Sequence, residues 1–98
     1  MTFVDYMPWT LCLKASNHVE TMATESIPAI FGKVLREQRN ARGLSQEALA
    51  LSANVDRTFV SQMERGIRQP TLTTLCKLSE ALDIQPSTLV ARVEKLLR

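Results

Sequence analysis

Apolar and polar positions follow a helical rhythm most clearly along residues 46–66, QEALALSANVDRTFVSQMERG. Leu49, Ala50, Val55, Val60 and Met63 recur at the i, i+3, i+4 spacings that set one helix face against another. The pattern predicts two short helices, residues 46–53 and 57–65, joined by a tight turn. Outward positions of the second carry Arg57, Thr58, Ser61, Gln62 and Arg65, a dense set of hydrogen-bonding groups for one short face. Upstream, Ile27, Ile30 or Phe31, Val34, Leu35 and Gln38 mark one face of a helix ending near Arg42. Lys33, Arg36, Glu37 and Asn40 mark its other face. Downstream, Leu72, Leu75, Cys76, Leu78, Ser79 and Leu82 predict a helix over residues 72–82. Leu89, Val90, Val93, Leu96 and Leu97 predict a last one from Pro86 toward Leu97. Five helices without an internal repeat, filling residues 27–98, define a compact all-α domain.

The residues between these segments fit that division. Ser26, Ser45, Asp56 and Thr71 stand where a side-chain oxygen can cap a helix N-terminus. Pro28 and Pro86 fall in first turns, where a missing N–H is harmless. Glu47 near a helix start suits the helix dipole. Gly43 and Gly66 can take the positive φ that closes a helix, after which Leu44 returns to the core. Asn54 tolerates the same left-handed conformation in the turn of the two-helix unit.

Composition changes this picture only at the N-terminus. Residues 1–26 hold one lysine and three acids, a net of −2, whereas residues 27–98 hold eleven bases and seven acids, a net of +4. The basic part is therefore the part with the two-helix unit, although +4 alone is weak evidence for a nucleic-acid partner. Residues 1–26 form an arm of different character. Trp9, Leu11 and Leu13 alternate with Thr10 and Cys12 in a short strand pattern. A lone strand needs a partner, so the arm is either loosely attached or an ordered dimerisation strand.

Candidate chemistry is sparse. Cys12 and Cys76 are the only thiols, and Cys76 falls on an apolar helix face, where a small core residue is expected. His18 has no ligand-spaced neighbours, so no metal is expected. Paired carboxylates, Cys–His or Ser–His sets and glycine-rich phosphate loops are missing from the sequence, which argues against an enzyme. No cofactor, small-molecule ligand or membrane association is implied. Asp5 and Pro8 interrupt any signal peptide, and the thiol count fits a reducing cytoplasm.

The stretch RGLSQEALALSANVDRTFVSQMERGIRQPTLTTLCKLSEALDI resembles DNA-binding proteins of the phage repressor and Cro (XRE) type, with the lambda-repressor-like helix-turn-helix fold. The resemblance extends over about residues 31–89 and leaves out the arm. It implies double-stranded DNA as partner, with the helix that carries Arg57 in the major groove. By position, Arg57, Thr58, Ser61 and Gln62 are then the base contacts. Arg57 suits guanine O6 and N7, Gln62 adenine N6 and N7, and Thr58 a thymine methyl. Gln46, Arg65 and Arg68 are the expected phosphate contacts. Arg39 and Glu64 match a pair that bridges the first and third helices in several relatives, and the same structural ion pair is expected here. Phe59 either touches a thymine methyl or packs over the turn. Relatives generally act as homodimers on pseudo-palindromic operators, and Leu89, Val93, Leu96 and Leu97 are the expected interface. On that view truncation after about Asp83 yields a monomer. The implied role is a transcription regulator of the repressor or restriction–modification controller kind; an antitoxin, or another module whose main task is binding a partner protein, is the alternative.

Overall fold

The computed structural model describes residues 26–97. The arm's expected strand at residues 9–13, with Cys12 and His18, lies outside the described residues. Five helices follow one another: α1 (Ile27–Ala41), α2 (Gln46–Ala53), α3 (Arg57–Glu64), α4 (Leu72–Leu82) and α5 (Pro86–Leu97). Four of them start at a side-chain cap. Ser26 Oγ accepts from the Ala29 N–H at 3.3 Å, Ser45 from Ala48 at 3.0 Å, Asp56 from Thr58 at 3.0 Å and Thr71 from Thr74 at 3.2 Å. Each bond satisfies one of the amide groups that a helix start leaves without a partner.

The four helices that lead into another element end alike. Gly43, Asn54, Gly66 and Asp83 take positive φ. The next residue then donates its N–H back to a carbonyl five positions earlier: Leu44 to Arg39, Val55 to Ala50, Ile67 to Gln62 and Ile84 to Ser79. This closure turns the following apolar side chain back toward the helix it terminates. Leu44, Val55 and Ile84 pack on the core. Ile67 is the exception, 60% exposed beside the end of α3.

The core lies where α1 crosses α3 and α5, with α2 against α3 and α4, and α4 on α5. Val34, Leu35, Leu49, Val60, Met63, Leu78, Leu82 and Leu89 are almost wholly removed from solvent. Ser79 is buried among them, its Oγ donating to the Cys76 carbonyl at 3.0 Å. Two sequence expectations are corrected here. Cys76 is exposed, because it sits at the rim of the apolar stripe of α4. Leu89 is 0% exposed inside the core and cannot serve a partner chain. Burying a leucine that fully contributes roughly 1.5–3 kcal/mol. Truncation after Asp83 would therefore open the monomer's own core rather than merely separate two subunits.

Candidate nucleic-acid interface

α3 has two faces of opposite character. At 100° per residue, Arg57, Ser61, Arg65, Thr58 and Gln62 fall in that order around an arc of about 140°. Val60 and Met63 point the other way and are buried, and Glu64 is buried at the border of the arc, beside the position of Arg57 and one turn of helix or more beyond it. Arg57, Thr58 and Arg65 are exposed, while Ser61 and Gln62 are half-buried. Among the described residues, the side chains of Arg57, Thr58, Ser61 and Arg65 make no hydrogen bond or ion pair. They form a row of unspent donors beside a rigidly packed stripe.

The inward end of α3 is the reverse case. The Glu64 carboxylate is enclosed and accepts four hydrogen bonds. Arg39 supplies two, Nε to Oε2 at 2.6 Å and Nη2 to Oε1 at 3.0 Å. Its Nη1 donates to the Leu44 carbonyl at 2.8 Å, so one guanidinium ties α1 both to α3 and to the loop before α2. Gln46 Nε2 donates to Oε1 at 2.9 Å, and Arg36 Nε approaches the same oxygen at 3.4 Å. Burial pushes the Glu64 carboxyl up. The hydrogen bonds from Arg39 and Gln46, the charge of Arg39 and the bond from Arg36 outweigh it, and the group titrates below the ordinary carboxylate value. Arg39 is held above its ordinary value, first by the hydrogen bond to Glu64, with burial opposing and the carboxylate charge adding.

Neither the role of Arg36 nor the inward turn of Gln46 was read from the sequence. Gly32 was also missed. A Cβ built there would stand 2.5 Å from the Met63 carbonyl oxygen and 2.6 Å from that of Glu64. Only a residue without a side chain lets α1 run this close to the C-terminal turn of α3. The available signal was a glycine inside a strongly periodic helix, where it weakens the helix unless something else requires it. Phe59 resolves to the packed reading: it is half-buried against the core, and the Arg68 guanidinium lies 5.7 Å from its ring centroid. Arg68 Nε also donates to Gln62 Oε1 at 3.3 Å.

Two short helices joined at a left-handed asparagine, the second held by its inner face and open along its outer one, make up a helix-turn-helix. The family model described as "Helix-turn-helix" matches residues 35–89. The chain belongs to this helix-turn-helix family, of the repressor and Cro (XRE) type. Control protein C.BamHI of Bacillus amyloliquefaciens is 38% identical over 68 residues, which span 68% of this chain and 84% of that protein. The restriction-modification controller protein C.AhdI from Aeromonas hydrophila is 48% identical, with a TM-score of 0.62 over 63% of this chain and 94% of that one. The controller protein C.Esp1396I, solved as a tetramer in complex with its natural 35 base-pair operator, is 28% identical. Its TM-score is 0.67 over 74% of this chain and 97% of that one.

Proposed function

We propose that this chain is a sequence-specific DNA-binding transcription regulator of the restriction–modification controller kind, working in the cytoplasm as a dimer on a pseudo-palindromic operator. The observation that carries the proposal is the outer arc of α3. Its donors have no internal partners, while Val60 and Met63 are buried behind it and the Glu64 carboxylate beside it is clamped by Arg39. Such a helix presents fixed hydrogen-bonding groups to a major groove without first having to break bonds of its own. Arg57 addresses guanine, Thr58 offers a hydroxyl and a methyl group, and Ser61 and Gln62 complete the base contacts. Arg65, at the C-terminal end of the arc, and Arg68 in the loop beyond it are the phosphate contacts. Gln46 keeps one amide hydrogen beyond its bond to Glu64, and with the free N–H groups of the first turn of α2 it faces the backbone. No catalytic role is assigned to any residue.

A dimer interface on α5 fits its outward residues once Leu89 is set aside. Val90 and Leu96 are 51% and 53% exposed, Val93 is half-buried against the core and Leu97 is half-buried. A twofold axis there would place two reading helices about 34 Å apart, one turn of DNA. Leu96→Glu should turn the dimer into a monomer in sedimentation with little change in melting temperature; a variant that still sediments as a dimer would place the interface elsewhere.

The DNA reading itself is tested by selecting bound sequences from a random duplex pool and titrating the selected site against salt. A twofold-symmetric motif is expected. The logarithm of affinity should fall linearly with the logarithm of salt, by roughly 0.9 per phosphate contact. A pool that yields no enriched sequence would overturn the proposal.

A further inference from the structure

Gln62 closes the outer arc, and three contacts hold it to the loop that follows. The N–H groups of Ile67 and Arg68 both donate to its carbonyl, at 2.9 and 3.4 Å. The third contact involves its side chain: Arg68 Nε stands 3.3 Å from Oε1. The guanidinium lies over the half-buried Phe59 ring, which restricts where Arg68 can go. A guanidinium donates and never accepts, so the amide atom that meets it is oxygen. The amide NH2 is therefore the end that faces away from Arg68.

That orientation bears on what Gln62 can read. A two-pronged contact to adenine needs the amide oxygen to accept from N6 while the nitrogen donates to N7. With Oε1 already facing Arg68, the group presented outward is a donor. The major-groove edge that offers only acceptors side by side is that of guanine, with O6 and N7. We propose that Arg68 is a specificity-determining residue. It orients the Gln62 amide so that Gln62 selects guanine instead of the adenine a free glutamine would favour. This assignment rests on the proposed placing of α3 in the major groove. Arg68 acts here through Gln62, and its terminal nitrogens remain available to a phosphate.

The test is selection from the random duplex pool with the full chain and three variants: Gln62→Ala, Arg68→Met and Arg68→Lys. The position at which Gln62→Ala flattens the base preference is the one Gln62 reads. The unaltered chain should prefer guanine over adenine there by about tenfold. Arg68→Met keeps an apolar stem on Phe59 but donates nothing, and the preference should fall to within about twofold or pass to adenine. Preferences at the other positions should stay unchanged. Lysine keeps a donor at this site, so Arg68→Lys should retain part of the guanine preference. Adenine at the Gln62 position in the unaltered chain would overturn the inference. So would an unchanged preference in Arg68→Met, or a Gln62→Ala variant that alters no position. A chain that enriches no sequence would overturn the DNA reading itself, a distinguishable result.

Discussion

The two faces of α3 spend their polar groups in opposite ways. On the inner side, one carboxylate takes hydrogen bonds from Arg36, Arg39 and Gln46, which come from two other helices. On the outer side, Arg57, Thr58 and Ser61 keep their side-chain hydrogen bonds unmade. Eight residues thus serve both as a buried anchor and as an open reading surface. A recognition helix needs both. Groups that must meet a partner with defined geometry are useful only on a backbone that does not shift, and the rigidity here comes from the buried contacts of the same helix.

Breaking the inner face should have the largest effect. Glu64→Ala leaves the enclosed Arg39 guanidinium without its carboxylate, and Arg39→Ala leaves the enclosed carboxylate only Gln46 and the longer contact from Arg36; each should cost up to about 3–5 kcal/mol in denaturant unfolding. Replacing both partners with apolar residues of similar size should cost less than either single change. Equal or greater loss in the double variant would mean that the pair stabilises α3 beyond the penalty of an orphaned charge. Gly32→Ala forces a methyl group against the Met63 and Glu64 carbonyls and should cost roughly 1–3 kcal/mol, read as a lower melting temperature. An unchanged melting temperature would show that α1 can slide away from α3.

Changes on the outer face should separate stability from binding. Arg57→Ala should leave the melting temperature unchanged while binding weakens by roughly 1–3 kcal/mol and one operator position relaxes. Equal weakening on every sequence would make Arg57 a phosphate contact instead. The mildest probe is acid. Glu64 titrates lower in the folded chain than in the unfolded one. The stability it contributes is complete above the ordinary carboxylate value of 4.5 and is lost as pH falls through the depressed folded value. Glu64→Gln should flatten that part of the pH–stability curve. A curve of unchanged slope would assign the acid sensitivity to other carboxylates.

Much of this architecture was legible in advance because its causes are local. A cap needs an oxygen next to a helix start, and a left-handed closure needs glycine, asparagine or aspartate followed by an apolar residue. Ser45, Asp56, Gly43 and Asn54 announce these features within a few residues of where they act. The outer arc of α3 was legible for the same reason, since helical periodicity alone gathers Arg57, Thr58, Ser61 and Gln62. The pairing of Arg39 with Glu64 was expected only through resemblance, because 25 residues separate the two in the chain.

The sequence by itself determined where the helices start and stop and which residues each presents on a common face. Those properties follow from backbone sterics, capping and a fixed 3.6-residue turn. Tertiary structure decided which apolar positions are interior: Leu89 lies in the core, while Cys76 and Leu72, drawn from equally regular spacing, lie outside it. It also decided that Gln46 turns onto Glu64, that Gly32 admits α3, and that Arg68 meets Gln62 above Phe59. Periodicity defines the direction of a side chain relative to its own helix. Burial and hydrogen bonding depend on what another helix brings to that side, and this is set only when the helices pack.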